Sequence, residues 1–318
     1  MFFLKLLEKK EEYKILPANH TKQHMGIKEW GLLIILSVMW GGSFFFVEVA
    51  LKELTPLTIV LYRVGLASFI LLLVVYIKGY RMPADPKIWI AFFIMGSLNN
   101  VIPFSLIAWG QTHIDSGLAS ILNATTPIFS VVLAHFLTKN EKLTKNRIIG
   151  VVIGWAGVAV LIGIDSMQSF GLKEMGQITV LGAAFLYACA AIYGHRFKKL
   201  NALVVATGML CCSTIIMIPF VLFIDQPWNL PHGIMTLSAL FGLSAISTSL
   251  AYIIYFRVLA TSGPTNILLV TFLIPISAIF LGSIVLGERL GWNAFIGMGM
   301  IFVGLIAIDG RLIKKIVR

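Results

Sequence analysis

The sequence predicts an all-α membrane protein of ten transmembrane helices, arranged as two inverted five-helix repeats. Three observations support this fold class. Of the 318 residues, 58% are hydrophobic and only 12% are charged, whereas a soluble globular protein carries about 25% charged residues. Apolar runs long enough to cross a bilayer follow one another along the chain. One pattern of proline, glutamate and glycine also occurs in both halves.

The apolar runs define ten candidate spans. Each run holds about 20 residues, the length at which a helix crosses the hydrocarbon core of a bilayer. The spans cover residues 30–51, 56–77, 87–111, 115–137, 146–164, 175–194, 202–224, 233–256, 264–286 and 291–309. We expect helices throughout, because a lipid-facing backbone must satisfy its own hydrogen bonds. The runs are also too long and too uniformly apolar for the strands of a barrel.

The net charge of +11 is explained by membrane topology. When the spans are numbered from a cytoplasmic N-terminus, the inside loops and both termini hold most of the basic residues. The outside loops hold only Lys52, Lys173 and Arg289. This asymmetry follows the positive-inside rule. It predicts a multi-pass protein of the plasma membrane, the inner membrane in a bacterium, with both termini in the cytoplasm. The basic balance therefore predicts no nucleic-acid partner.

A pattern of one proline, one glutamate and two glycines occurs twice, in the same order. Its members are Pro127, Glu141, Gly150 and Gly157 in the first half, and Pro275, Glu288, Gly297 and Gly304 in the second. The prolines are 148 residues apart and the other members 147. Each half holds five spans, an odd number, so the second half must be inverted relative to the first. Inverted repeats around a central cavity are typical of secondary transporters that work by alternating access.

Four segments carry a resemblance to a known family. They read WGGSFFFVEVAL in span 1, PLTIVLYRVGLASFILL in span 2, GLASILNATTPIFSVVLAHFLTKNEKLT in span 4 and TNILLVTFLIPISAIFLGSIVLGERL in span 9. With the duplicated pattern, they make residues 30–309 similar to the EamA-type members of the drug/metabolite transporter superfamily. The resemblance implies ten helices in inverted repeats and transport of small metabolites, often export. Members of this family carry amino acids, sugars, nucleotides or toxic cations.

The resemblance also implies a division of the chain. Residues 1–28 are expected to form a cytoplasmic N-terminal segment, and residues 29–164 the first EamA-like five-helix repeat. Residues 165–310 are expected to form the second, inverted EamA-like repeat, and residues 311–318 a cytoplasmic basic tail. Family members often carry a basic residue late in span 1, where this chain has Glu48. The substrate of a relative therefore does not transfer directly to this chain.

Glu48 and Arg63 are ionisable side chains inside spans 1 and 2. Such side chains are costly in a bilayer and usually face the protein interior or a water-filled path. The two residues lie at similar depth, so they could pair. The functional interpretation makes Glu48 a proton-coupling or cation-binding carboxylate, with Arg63 as its counter-charge or as an anchor for an anion. The alternative is a structural ion pair, or an arginine that reaches the membrane surface.

Span 3 carries two adjacent asparagines in its middle. Asn100 shares a stripe at helical spacing with Phe104 and Gln111, and Asn99 precedes it. Pro103 removes a backbone donor, so it is a candidate hinge that leaves a carbonyl near Asn99 in need of a partner. We expect Asn99, Asn100 and Gln111 to bind substrate. The alternative is hydrogen bonding between helices.

Spans 4 and 9 carry prolines at repeat-related positions. Asn123 and Thr126 share one helical face with Pro127, and Thr271 is the repeat mate of Asn123 in the span that holds Pro275. Kinked helices at related positions in the two halves indicate a site near the bilayer midplane. The three polar residues are therefore candidates for substrate binding and the two prolines for conformational hinges. The alternative is that the prolines only bend two packed helices.

Aromatic and hydroxyl side chains indicate an amphipathic cavity. Thr248 and Tyr252 lie on one stripe of span 8, and Trp40 and Phe44 lie near the Glu48 face of span 1. An aromatic wall with hydrogen-bonding tips suits an organic substrate with apolar and polar parts, such as an amino acid. The alternative is ordinary packing together with aromatics at the membrane interface.

Together these features predict a secondary active transporter that exports a small metabolite, an amino acid or a related compound, and that is not an enzyme. The sequence contains no phosphate-binding loop or metal motif, so we expect no cofactor and no metal. The alternatives are an uptake permease, a multidrug or toxic-cation exporter and, from another class, a non-transporting membrane scaffold or sensor. The expected partners are the small-molecule substrate, the lipid bilayer and a second copy of the chain.

Overall fold

The computed structural model describes residues 26–137, 143–163, 171–227, 233–267 and 269–309. Within these ranges the chain forms helices joined by short connections, with no strand. In chain order the helices are α1 (Ile27–Ala50), α2 (Pro56–Ile77), α3 (Pro86–Gln111), α4 (Ser116–Leu137), α5 (Lys145–Ile162), α6 (Leu172–Phe197), α7 (Ala202–Asp225), α8 (Ile234–Gly263), α9 (Val270–Leu286) and α10 (Trp292–Asp309). All are apolar, and all but α9 have at least 18 residues. The predicted all-α fold is confirmed.

The boundary between spans 8 and 9 differs from the prediction. Span 8 was expected to end near residue 256 and span 9 to begin near residue 264, whereas α8 extends to Gly263 and α9 begins at Val270. Gly263 has φ +78°, a left-handed conformation that is accessible to glycine and that interrupts the helix. The turn between the two spans is therefore set by a backbone conformation and not by a change in hydropathy.

The helix contacts have the symmetry expected of an inverted repeat, in which α1–α5 correspond to α6–α10. The packing of α1 on α9 is matched by that of α6 on α4, and the packing of α3 on α6 is matched by that of α8 on α1. Likewise, α2 packs on α8 as α7 packs on α3. The pairs α2 with α7, α4 with α9 and α5 with α10 are their own mates. The two halves are thus interleaved around one axis.

The repeated glycines hold α5 against α10. A Cβ atom on Gly157 would lie 2.8 Å from the carbonyl oxygen of Gly297, and one on Gly297 would lie 2.7 Å from the carbonyl oxygen of Gly157. Gly150 and Gly304 approach each other in the same way at the other end of the pair. This close approach is what the small-residue spacing predicts. The described glycines on these faces therefore pack against the partner helix within the same chain.

The bundle has two ends, which we name after one lysine at each. At the Lys52 end lie the described connecting residues 51–55, 112–115, 163, 171, 226–227, 233 and 287–291. At the Lys78 end lie the described residues 78–85, 143–144 and 198–201, with the turn after Gly263. Three hydrophobic clusters of buried residues lie in the described part of the bundle, and Tyr187 of α6 packs against the two larger ones.

Candidate substrate-binding site

The middle of α3 and the middle of α8 both depart from regular α-helix. Residues Ser97–Val101 of α3 and Gly242–Leu250 of α8 form π-helical turns. The repeat offset of 147 maps the first segment onto residues 244–248, inside the second segment. A π turn widens the helix and is frequent at functional sites. Here the wide turns carry Asn99, Asn100 and Thr248.

Pro103 follows the π turn of α3. It is the second residue of the regular helix Ile102–Gln111, and the Ile102 N–H donates to the carbonyl of Ser97, five residues earlier. The wide turn therefore accommodates the proline. Its role as a conformational hinge stays a prediction.

Arg63 of α2 is the buried charge at the centre of the site. Only 8% of its surface is exposed. Its guanidinium carbon lies 3.6 Å from the centroid of the Phe104 ring, and its Nε donates to Thr248 Oγ1 at 3.1 Å. The hydroxyls of Tyr187 and Tyr252 are close enough to interact with it electrostatically. No carboxylate pairs with Arg63 among the residues that the structure describes. The guanidinium therefore has donors left for an anion.

Asn99 and Asn100 link three helices. The Asn99 side-chain amide donates to Tyr252 Oη at 3.0 Å, and that of Asn100 donates to Ser213 Oγ on α7 at 3.1 Å. Tyr252 Oη in turn donates to Asn100 Oδ1 at 3.4 Å. These contacts are the interhelical bonds that the sequence left as an alternative. They also hold the Tyr252 hydroxyl beside Arg63.

Aromatic rings line the same region. Trp40 of α1 and Tyr255 of α8 have ring centroids 5.5 Å apart, and both are half-buried although they lie within the bundle. Phe44, one turn after Trp40, is buried. Tyr187 is also half-buried and was missed from the sequence. Its signal was available, because Tyr187 lies 147 residues after Trp40, at the repeat offset.

Glu48 does not pair with Arg63, so the pairing expected from similar depth is wrong. Its Oε2 accepts from Gln111 Nε2 at 3.3 Å, and the same amide donates to the carbonyl of Phe44 at 2.9 Å. Gln111 Oε1 is buried and has no partner. Depth along two helices does not determine the direction in which each side chain points. Glu48 of α1 therefore contacts α3 toward the Lys52 end, whereas Arg63 lies at the centre of the bundle.

The polar residues of span 4 lie at a break in the helix. The helical segment Ser116–Asn123 ends, two turn residues follow, and Thr126–Leu137 continues the span. Thr126 Oγ1 donates to the carbonyl of Asn123 at 2.8 Å, and Asn123 Oδ1 is buried without a partner. Pro127 is thus the second residue of a new segment, where its missing N–H costs little.

The repeat mates in span 9 have a different local structure. Pro275 is buried inside the regular segment Val270–Leu281. Thr271, the second residue of that segment, is half-buried. The interruption of the span precedes Pro275 by several residues, so the expected pair of equivalent kinks is not observed. This geometry does not test whether Pro127 or Pro275 acts as a hinge, so both roles stay predictions.

The Glu288 side chain joins the two repeats at the Lys52 end. Its two oxygens accept from the backbone N–H groups of Ser116 and Gly117, each at 3.0 Å, at the first turn of α4. A carboxylate at a helix N-terminus satisfies orphan donors and interacts favourably with the helix dipole. Glu288 therefore caps α4 from the opposite repeat. Its repeat mate Glu141 lies outside the described residues.

Two further carboxylates cap helices of the opposite repeat at the same end. Asp225, at the end of α7, accepts from the Thr58 backbone N–H at 2.9 Å and from the hydroxyl of Thr55 at the start of α2. Glu53, after α1, accepts from the Gly233 N–H at the start of α8 at 2.8 Å. With Glu288, they make three contacts between repeats that hold the Lys52 end together.

The described residues contain no group of three His, Cys, Asp or Glu side chains that could hold a metal ion. The site is therefore made of one buried arginine, amides, hydroxyls and aromatic rings. Such a set can bind a small organic anion or zwitterion through charge-assisted hydrogen bonds and can pack an apolar portion against the rings.

Comparison with known proteins identifies the family. A model of the EamA-like transporter family matches residues 28–163 and residues 174–308, so that one match covers α1–α5 and the other α6–α10. The chain belongs to the EamA-like transporter family. As in its named relatives, an EamA-like chain of this kind is a multi-pass membrane transporter and not an enzyme.

Several full-length relatives agree with this family. The chain is 26% identical over 308 residues to the "Probable amino-acid metabolite efflux pump" of Escherichia coli strain K12, covering 92% of this chain and 99% of the relative. It is 23% identical over 277 residues to "Uncharacterized transporter YoaV" of Bacillus subtilis, covering 86% and 94%. It is 24% identical over 284 residues to "Uncharacterized inner membrane transporter YedA" of Escherichia coli strain K12, covering 88% and 90%.

A solved crystal structure has the same fold as this EamA-like chain. The two superpose with a TM-score of 0.66 at 14% identity, covering 91% of this chain and 99% of the other. At that identity the likeness concerns the fold alone.

Proposed function

We propose that this protein is a secondary transporter that exports a small carboxylate-bearing metabolite, in particular an amino acid, by alternating access. The observation that carries the proposal is Arg63, a buried cation with no carboxylate partner among the described residues. An unpaired charge inside a membrane bundle is costly and marks substrate or ion pathways. A substrate carboxylate would supply the missing partner.

The rest of an amino acid fits the surroundings of Arg63. The apolar side chain would pack against Phe104, Tyr187 and the pair formed by Trp40 and Tyr255. The ammonium group needs acceptors, and the hydroxyl oxygens of Tyr187 and Tyr252 beside Arg63 can supply them. The E. coli relative named as a probable amino-acid metabolite efflux pump supports this substrate class.

The alternatives are less well supported. A multidrug or toxic-cation exporter would have to bring a cation next to Arg63, and like charges in a low-dielectric site repel strongly. A scaffold or sensor has no need of a buried unpaired arginine between inverted halves. An uptake permease would use the same site and would differ only in the direction of net flux.

The contacts at the Lys52 end support alternating access. The caps by Glu288, Asp225 and Glu53 each join one repeat to the other, so they would hold this end closed. Movement of one repeat against the other would release all three together and would open the site at that end. By the positive-inside rule we assign the Lys52 end to the outside, and both termini to the cytoplasm.

The proposal is tested with purified protein in liposomes and a panel of labelled amino acids, with and without an imposed pH gradient. We expect flux of at least one amino acid, and faster flux with the gradient. The matched controls are the decarboxylated amine and the deaminated acid of each active compound. Transport of the amine and not of the amino acid would contradict the proposal, as would flux of organic cations alone.

Glu48 is the residue that we propose for coupling to protons or cations. It is half-buried, and the charges nearest to it are the carboxylates Glu288 and Asp115 and the amine of Lys52. We expect Glu48→Gln to abolish flux driven by a pH gradient while the protein still reaches the membrane. Glu48→Asp keeps a carboxylate and should retain part of the gradient response. Full gradient-driven flux in Glu48→Gln would make Glu48 a structural partner of Gln111.

A further inference from the structure

A polar cavity of about 270 Å³ lies at the Lys52 end, apart from the Arg63 site. Its walls come from both repeats: residues 113–118 between α3 and α4, the first turns of α6, and residues 289–294 before and within α10. None of its lining residues contacts Arg63. We call this cavity the terminal pocket. Its polar members are His113, Asp115, Lys173, Gln177, Arg289 and Asn293.

The terminal pocket presents charges of both signs. Lys173 and Arg289 supply two cations, and neither forms a salt bridge within the described part of the chain. Asp115 supplies a carboxylate that does not cap its own helix, because Glu288 occupies the N–H groups of Ser116 and Gly117. Burial and the nearby Glu288 raise the pKa of the Asp115 carboxyl, and Lys173 opposes that shift. The opposite charges thus lie close together.

Gln177 is the second, independent sign of a ligand. It lines the terminal pocket, only 1% of its surface is exposed, and its side-chain amide has no hydrogen bond to any described residue. Its Oε1 in particular is buried without a partner. A buried amide that makes no hydrogen bond is unfavourable, and most buried polar groups in proteins have a partner. The amide is therefore available to a bound molecule.

We propose that the terminal pocket is a second binding site, which takes a small zwitterion of the amino-acid type. The carboxylate of the ligand contacts Lys173 and Arg289, and its ammonium group contacts Asp115 and Gln177 Oε1. Positive donors and negative acceptors in one small cavity match the two charges of a zwitterion. A ligand with only one of these charges would be repelled by the pocket residues of like charge. That the ligand is the transported compound rests on the proposed function, whereas the site itself does not.

The position of the terminal pocket gives this site a role in the transport cycle. Its two main walls, residues 113–118 and 289–294, are the segments that the Glu288 cap joins. A zwitterion bound between them bridges the same two segments.

The test uses a cysteine reporter in the wall of the pocket. Leu290→Cys is made in a chain in which Cys189, Cys211 and Cys212 are replaced by alanine, together with Arg63→Gln to disable the central site. The rate of maleimide modification is measured in detergent with L-alanine as the probe. At about 50 mM probe we expect a rate lower by about sixfold, the factor for a dissociation constant of about 10 mM. If Leu290→Cys does not fold, Asn293→Cys serves as the reporter.

Matched controls separate binding from other effects. Propionate and ethylamine each lack one charge of L-alanine and should leave the rate nearly unchanged. Lys52→Cys lies at the same end outside the pocket and should show no protection, and Gln177→Leu should remove the protection of Leu290→Cys. Equal protection by all three probes, no protection by L-alanine, or equal slowing at Lys52→Cys would overturn the proposal. If L-alanine protects Leu290→Cys but the wild-type chain moves no amino acid in liposomes, the proposed function is refuted and the second binding site stands.

Discussion

At the scale of the residue, Arg63 makes two contacts and keeps free donors, a combination that a lysine could not provide. Its planar group stacks on Phe104, its Nε donates to Thr248, and its remaining N–H groups stay available. A guanidinium tolerates such a site because it is weakly hydrated and its fork matches a carboxylate. If a substrate carboxylate binds here, as proposed, stacking and the hydrogen bond fix the fork before the substrate arrives, which reduces the entropy lost on binding.

This arrangement predicts the behaviour of two Arg63 variants. Arg63→Gln should weaken the apparent affinity for an amino acid by about 30-fold or more, because losing one partner of a buried charge pair costs about 2 kcal/mol or more. Arg63→Lys keeps the charge but not the fork, so its apparent affinity should lie between that of the wild type and that of Arg63→Gln. Affinities are read from concentration-dependent flux in liposomes. An unchanged affinity in Arg63→Gln would remove Arg63 from the substrate site.

Helical spacing in the sequence predicted which side chains share a buried face, but it did not predict the partners of the charged residues. Asn100, Phe104 and Gln111 follow helical spacing, and all three are buried as that stripe predicts. The expected partnership of Glu48 with Arg63 failed because the rotation of one helix against another depends on packing, which local spacing does not encode. Tyr187 was missed because a single tyrosine in an alanine-rich helix has no distinctive local pattern.

At the scale of the element, one π turn in the middle of each repeat lies at a corresponding position. The π turns of α3 and α8 sit at matching positions and carry side chains that contact Arg63 or Tyr252. The sequence indicates an irregularity near Pro103, but the π turn in α8 contains no proline. Its wide turn is stabilised instead by hydroxyls, with Thr248 Oγ1 donating to the carbonyl of Leu243 at 2.8 Å. Such a turn is not readable from hydropathy.

The prolines of α4 and α9 make a prediction about rate. If Pro127 and Pro275 act as hinges, then Pro127→Ala and Pro275→Ala should lower the transport rate more than the substrate affinity, because regular helix would replace segments that must flex. Rate and half-saturation concentration are measured separately in liposomes. Wild-type rates in both variants would show that the prolines only shape packed helices.

The contact between α5 and α10 makes a prediction about stability. Gly297→Ala places a methyl group 2.7 Å from both the Gly157 carbonyl oxygen and Leu161 Cβ, so the helices must separate. We expect this substitution to lower the thermal unfolding temperature in detergent. Gly299→Ala on the same helix is the control, because no atom lies within 4 Å of its added methyl group. Equal effects of the two substitutions would contradict the packing described for Gly297.

At the scale of the whole molecule, inversion gives each half the same contacts in opposite orientation. The pairs α1 with α9 and α6 with α4 are one such case. The sequence predicts this symmetry from an odd number of spans and a repeated pattern, since both are properties of the whole chain. It does not predict which end is closed, because two inverted halves can be closed at either end with equal local sequence.

The proposed orientation leads to a labelling prediction. In a chain without its native cysteines, Lys52→Cys should react with an impermeant maleimide added to intact cells. Lys78→Cys should react only after the membrane is permeabilised, because the positive-inside rule places that end in the cytoplasm. The reverse pattern would place the Lys52 end inside and would make the closed end of the structure the cytoplasmic one.

If the Lys52 end opens during transport, as proposed, the carboxylates Glu53, Asp225 and Glu288 also set how rarely the empty protein opens. Each caps a helix of the opposite repeat, and a helix N-cap contributes about 1 kcal/mol. Because opening would break all three caps together, the caps favour the closed form by about two orders of magnitude in population. A substrate must offset that difference by binding more tightly as the Lys52 end opens. In the proposed mechanism, these three carboxylates thus limit leakage through the empty protein without contacting the solute.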